Sequence, residues 1–208
     1  LDLLCNFYTK DGEPFEMAPE YTLHKAGEAF RKATGGMEFE VMGELEYYVI
    51  APKDDQYMPA DQRGYHASMP FCKFEEFRTE AMKLIAESGG LIKYGHSEVG
   101  NFCVGDMMYE QNEIEFLPTR LEDAADQLVI AKWIMRELGH QYGITVTFAT
   151  INRCPRIVCT YRRRRCTVPI YCYCICRARI IINMISVFTC GYSASICSIS
   201  VIIIPSKC

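Results

Sequence analysis

The chain has 208 residues and changes its chemistry at one point. Residues 1–149 hold all 26 acidic side chains against 13 basic ones, a net −13; residues 150–208 have no Asp, Glu or His, nine basic residues and nine of the twelve cysteines, a net +9. The acidic part is long enough for its own core, and its charge argues against nucleic acid as the main partner and suits a binder of cations.

Sparse cysteine in that part, Cys5, Cys72 and Cys103, suits a reducing cytoplasm. The chain opens at Leu1 without a charged-then-apolar leader, so no signal peptide is expected. The missing initiator Met suggests a fragment, with processing as the alternative.

Asp11-Gly12-Glu13-Pro14 reads as a turn. Pro19-Glu20 opens a helix with Leu23, Ala26, Gly27 and Phe30 at helical spacing, closed by Gly35-Gly36. From Phe39 the period becomes two. Phe39, Val41, Gly43, Leu45, Tyr47 and Val49 point one way; Glu38, Glu40, Met42, Glu44, Glu46 and Tyr48 point the other. That is a strand with one apolar and one carboxylate-rich face. Residues 51–72 read as a long loop of the kind that often carries function. Phe74, Phe77, Ala81, Leu84 and Ile85 mark a second helix, ended by Gly89-Gly90.

Leu91–Tyr94 is expected as a short strand leading into Gly95-His96-Ser97-Glu98. After a loop, Tyr109–Leu117 forms another, with Gln111, Glu113 and Glu115 on one face, broken by Pro118. Thr119 and Glu122 have the spacing of a capping box for a helix reaching about Leu138, with Leu121, Ala125, Leu128, Met135 and Leu138 as its apolar stripe. Ile144–Ala149 is a last short strand. No Rossmann or P-loop glycine pattern is present, and the expected class is α+β.

Two strands thus carry carboxylates at i, i+2 spacing, Glu44/Glu46 and Glu113/Glu115, and Glu98 sits at a strand end. Converging carboxylates repel unless cations neutralise them, and hard oxygen ligands select Mg²⁺, Mn²⁺ or Ca²⁺. Alternating Glu on a strand is also what a solvated sheet face looks like. The pattern alone leaves both readings open.

Four stretches, in order, resemble the glutamine synthetase family. Asn6-Phe7-Tyr8 with Asp11-Gly12-Glu13-Pro14-Phe15 is similar to the opening of its catalytic domain. Gly43-Glu44-Leu45-Glu46-Tyr47-Tyr48 resembles its G-x-E-x-E-aromatic strand. Gly95-His96-Ser97-Glu98-Val99 followed by Glu110-Gln111-Asn112-Glu113-Ile114-Glu115-Phe116 resembles its H-x-E-V … G-Q-x-E-[IV] segment. Ala124-Ala125-Asp126-Gln127-Leu128 through Gly143-Ile144-Thr145-Val146-Thr147-Phe148-Ala149 resembles the helix and T-F strand that follow.

The resemblance covers residues 1–149. It implies a catalytic-domain fold with a curved, mainly antiparallel sheet lined by helices. It also implies ATP-dependent ligation of glutamate and ammonia through γ-glutamyl phosphate, with Mg²⁺ or Mn²⁺, in a cytoplasmic homo-oligomer. Matched residue by residue, Glu46, Glu98 and Glu113 correspond to ligands of the first metal and Glu44 to a ligand of the second. Tyr65 corresponds to the tyrosine near the ammonium and glutamate sites, and Glu98 also faces the ammonium pocket. Glu115 has no family role, and a solvated strand face is its better reading. His96 is expected to be structural. Phe102–Tyr109 reads as an insertion, and Lys93 stands where family members often carry an acidic residue, so no nucleotide contact is assigned. A γ-glutamyl-amine ligase and a non-catalytic relative are the runner-up readings.

The match stops at Ala149. The family's glutamate loop, H-x-H histidine, substrate arginines and last metal Glu are not found, nor is its preceding β-grasp domain. The expectation is a truncated, inactive catalytic domain with an unpaired sheet edge and a tendency to aggregate. Three readings compete for residues 150–208. Cys172, Cys174, Cys176 and six scattered cysteines lack paired C-x-x-C spacing and histidine, which makes a zinc module weak. Ile180–Ile204 is uncharged and long enough for a membrane anchor, though diluted by Asn183, Ser and Cys. A shifted reading frame accounts for the loss of acidic residues together with the rise in Cys, Ile, Arg and Ser, and is the favoured reading.

Overall fold

The computed structural model describes residues 2–58, 60–149 and, by backbone alone, 199–200. Apart from that last pair of residues, the readings of the 150–208 segment lie outside the described residues. Helix α1 spans Pro19–Thr34, strand β1 Glu40–Pro52, helix α2 Glu75–Glu87, strand β2 Ile92–Val104 and strand β3 Met107–Phe116. Strand β4 is Thr119–Arg120, helix α3 Leu121–Tyr142, strand β5 Thr145–Thr147 and strand β6 Ile199–Ser200. Among the described residues no helix is long and apolar enough to cross a membrane.

Strand β1 organises the sheet. It pairs antiparallel with β3 over Glu44–Pro52, and β3 pairs antiparallel with β2. β4 continues along β1 at Glu40 and Val41, one residue out of step with the β3 register. β5 meets β1 at Tyr48–Ile50, and β6 meets it at Met42 and Gly43. The result is an open antiparallel sheet flanked by helices, the α+β class expected from the sequence.

The period-two alternation of β1 decides which face is dry. Leu45, Tyr47 and Val49 are buried, whereas Glu44, Glu46 and Tyr48 between them are half-buried on the opposite face. The dry face, with Ile114 and Phe116 of β3, packs against Phe77, Ala81 and Ile85 of α2 and Ala131, Ile134, Met135 and Leu138 of α3. The buried stripe of α3 is rotated from the expected one. Ala124, Gln127, Ala131 and Ile134 are buried, whereas Leu121 and Ala125 are only partly so. Leu128 covers Gly43, where an added Cβ would stand 3.3 Å from its methyl group.

Three other expectations are corrected. Helix α3 runs to Tyr142, one turn past Leu138. Its capping box does not form. Thr119 is held in the β4 ladder opposite Val41. The Leu121 N–H donates to the Phe39 carbonyl at 3.1 Å, and Glu122 faces His24 of α1 at 3.5 Å. The segment expected as a short strand, loop and strand is one hairpin. β2 continues to Val104, and Gly105-Asp106 turns directly into β3 with Val104 opposite Met107. The residues expected as an insertion, Phe102–Tyr109, are the tip of this hairpin, with the Phe102 and Tyr109 rings stacked at 4.8 Å.

The long loop is tied to β2. The backbone N–H groups of Gln62, Gly64 and His66 donate to the carbonyls of Asn101, Val99 and Ser97, and the Ser97 hydroxyl donates to the Gly64 carbonyl at 2.7 Å. At its end the loop meets a buried carboxylate absent from the sequence reading. Glu110 lies on the dry face of β3, 1% exposed. It accepts from the N–H of Lys73 at 2.7 Å, the N–H of Phe74 at 3.2 Å, the Cys72 thiol at 3.3 Å and the Asn112 amide at 3.1 Å. Phe74 caps α2 without a side-chain bond of its own. Glu110 takes that place, a carboxylate at the positive end of a helix. Arg78, also buried, donates to Asn112 and to the Cys72 sulfur. Burial pushes the Cys72 thiol up.

Replacing Glu110 with Ala leaves these donors unpaired in the interior. Urea unfolding followed by circular dichroism is expected to show a loss of about 2–4 kcal/mol, and a loss below about 1 kcal/mol would mean that water substitutes for the carboxylate.

Candidate metal centre

The face of the sheet away from the helices carries the chemistry. The register places Glu44 opposite Glu115, Glu46 opposite Glu113 and Tyr48 opposite Gln111 across β1 and β3. Across β3 and β2 it places Tyr94 opposite Glu115 and His96 opposite Glu113. Directly opposed like charges destabilise a sheet, and here two such pairs lie side by side. Glu98 reaches the same face through an irregularity. Ser97 pairs with Asn112 and Asn101 with Glu110, so Glu98, Val99 and Gly100 bulge out of the ladder, a device that re-aims side chains.

Two cationic or potentially cationic groups of the chain stand in this face. Lys93 Nζ binds Glu115 Oε2 at 2.6 Å. His96 Nε2 lies 3.4 Å from Glu113 Oε2 and 4.0 Å from Glu115 Oε1, and its Nδ1 lies 3.6 Å from Glu98 Oε1. His96 Nδ1 is also 3.0 Å from the Ser97 carbonyl. Its ring stacks between His66, 4.5 Å away, and Tyr94, 5.3 Å away, with Tyr65 edge-on at 5.4 Å. His96 is therefore both wedged in place and central to the acidic cluster.

The charges disturb each other. Burial, then the charges of Glu44, Glu46, Glu98 and Glu115, push Glu113 up to about 8 from an ordinary 4.5. Burial, with Glu98 and Glu44 beside it, also raises Glu46, against the lowering effect of a hydrogen bond from Gln111. Glu115 goes the other way. Burial raises it, but the hydrogen bonds from Lys93 and Tyr94 outweigh that and hold it low. The hydrogen bond to Glu115 in turn pushes Tyr94 up to about 12.

Among the expected site residues, Glu46 and Glu113 are cross-strand neighbours, Glu98 stands against His96, and Glu44 lies opposite Glu115. Tyr65 is exposed, its ring turned to His66 and His96. Glu115 is not on a solvated face. It is 7% exposed and ion-paired, because Lys93, Tyr94 and His96 of the neighbouring β2 stand against it. Ligand atoms of His96, Glu113 and Glu115 all lie within 4.8 Å of one another. The sequence reading gave no role to Lys93, Tyr94, His66 or Gln111. Their signal is position alone: Tyr94 and His96 share one strand face, and Gln111 shares the face of Glu113.

The family model described as glutamine synthetase, catalytic domain, matches residues 16–152. The chain belongs to the glutamine synthetase family. It is 25% identical over 146 residues to a glutamine synthetase of Methanococcus voltae and 27% identical over 150 residues to that of Thermus thermophilus, in each case over 70% of this chain. The chain spans 31% of the length of these relatives. Its fold is similar to part of Plasmodium falciparum glutamine synthetase, with a TM-score of 0.59 at 18% identity over 71% of this chain and 33% of that one.

The raised Glu113 gives this domain a pH signature. The folded state keeps a proton that the unfolded chain has already released, so stability falls as pH rises from about 4.5 to about 8. Glu113→Gln removes that slope. Without divalent metal, the variant is expected to be more stable than the parent at pH 8 by about 1–3 kcal/mol, part of the repulsion being screened by water. At pH 4.5 the two are expected to match. Thermal unfolding across this range is the check, and a variant less stable at pH 8 would contradict the assignment.

Proposed function

We propose that this face holds divalent cations for an ATP-dependent glutamate–ammonia ligase. Glu46, Glu98 and Glu113 would hold one Mg²⁺ or Mn²⁺, with Glu44 contributing to a second. The observation that carries the reading is the paired register of Glu44 with Glu115 and Glu46 with Glu113, joined by Glu98 from the bulge. The donor set fits such an ion. It consists of hard carboxylate oxygens, and burial together with their mutual repulsion pushes Glu113 up to about 8, a state that a cation would reverse. When bound, the cations neutralise charge on the phosphoryl group of ATP during transfer.

The remaining roles belong to the chain's own groups. Lys93 engages Glu115, and no lysine stands against Glu44, Glu46, Glu98 or Glu113 among the ion pairs of the described residues. His96 lies within 3.6 Å of Glu98 and 3.4 Å of Glu113 and faces both carboxylates with its two ring nitrogens. Glu98, at the edge of the cluster, also suits a cationic ammonium. Tyr65, exposed above His96, borders the space where glutamate and ammonium would meet. The reading includes a cytoplasmic setting, supported by three free thiols among the described residues. It also includes assembly with further copies, supported by the exposed Leu3, Leu4, Phe7, Tyr8 and Met17.

The test uses Mn²⁺ titration followed by electron paramagnetic resonance, together with ATP- and glutamate-dependent hydroxamate formation. Glu46→Gln and Glu113→Gln are expected to weaken Mn²⁺ about 100-fold or more with unchanged circular dichroism, and to abolish any hydroxamate formed. Unaltered Mn²⁺ affinity in both variants would overturn the reading.

A further inference from the structure

Gln111 sits at the middle of β3, directly opposite Tyr48. Its Oε1 accepts from the Gly100 N–H at 3.0 Å and from the Tyr48 hydroxyl at 3.4 Å. Its Nε2 donates to Glu46 Oε2 at 2.7 Å. The two donors on the oxygen side fix the amide's orientation, so its NH₂ group must face the carboxylate.

Gly100 lies in the bulge that carries Glu98. An added Cβ there would meet the Tyr48 hydroxyl at 2.1 Å and Gln111 Oε1 at 2.4 Å. Only glycine lets the bulge come this close to β3. Glu98 is tied into the same turn, since its Oε2 accepts from the Val99 N–H at 3.0 Å. One neutral side chain therefore touches both sides of the cluster. It holds Glu46 of β1 directly, and it holds the turn bearing Glu98 through the Gly100 backbone.

We propose that Gln111 is a positioning residue that sets the spacing and orientation of Glu46 and Glu98 for cation binding. The proposal rests on the metal-centre reading above. An amide suits the task because it offers an acceptor to the bulge and a donor to the carboxylate, and adds no charge to a crowded face. Second-sphere hydrogen bonds of this kind orient metal ligands, and their loss typically costs about 10–100-fold in affinity.

The experiment is Mn²⁺ binding by electron paramagnetic resonance on Gln111→Met, Gln111→Asn and Glu113→Gln, with circular dichroism as the check of folding. Gln111→Met keeps the length and loses all three hydrogen bonds. It is expected to bind Mn²⁺ about 10–100-fold more weakly and to give a broadened bound-Mn²⁺ spectrum, which a merely structural role would leave unchanged. Gln111→Asn keeps the amide, falls one methylene short, and is expected to lose less; it also serves should the Met variant fold poorly. Wild-type affinity and spectrum in both Gln111 variants, with binding lost in Glu113→Gln, would overturn the positioning role and leave the metal centre standing. Wild-type behaviour in all three would overturn both.

Discussion

Two pairs of glutamates face each other across β1 and β3, and the structure around them is arranged to keep them there. Glu44 meets Glu115 and Glu46 meets Glu113 in direct register, an arrangement that opposes sheet pairing. It persists because the other face of the same strands is pinned. Leu45, Tyr47 and Val49 alternate with the glutamates and are buried against α2 and α3. A one-residue slip would carry the glutamates into the core and the core residues into water. The apolar face thus fixes the position of the acidic one.

The remaining elements supply what the core cannot. Lys93 quenches one carboxylate, and the bulge brings in another at Glu98. The long loop is laced to β2 so that Tyr65 and His66 close over His96. Glu110 joins the end of that loop to α2 and β3. Acidity is used in two ways on the two faces of one strand. Glu110 faces inward and is satisfied by backbone and side-chain donors, whereas Glu113, on the other face, is left with burial and the repulsion of its neighbours. The inner face is a structural joint, and the outer one is the face proposed above to take a cation.

Much of this was legible in the sequence, and the gaps have physical causes. The alternation over residues 39–49 was readable because one face of β1 is dry and the other is not. Glu46, Glu98 and Glu113 were reached by resemblance, and the fold brings them to one face. Glu110 was not readable. Residues 110–113 are polar on both faces of the strand, and what buries Glu110 is a helix end distant in sequence. Glu115 looked solvated because alternating carboxylates on a strand usually face water, and nothing in the spacing signals that Lys93 and Tyr94 of β2 stand against it. The hairpin itself turns at Gly105-Asp106, a two-residue signal between Val104 and Met107. The α3 stripe was placed correctly at Met135 and Leu138 and one position off in its first turns, where Ala124 and the polar Gln127 are buried and apolar spacing gives no sign of a buried Gln.

The central claim is that repulsion among Glu46, Glu98 and Glu113 is resolved by a divalent cation seated between them. The most direct test is anomalous diffraction from crystals of the protein grown with Mn²⁺. The account predicts an anomalous peak within coordination distance of those three carboxylates. A face without manganese, or with manganese bound only elsewhere, would contradict it.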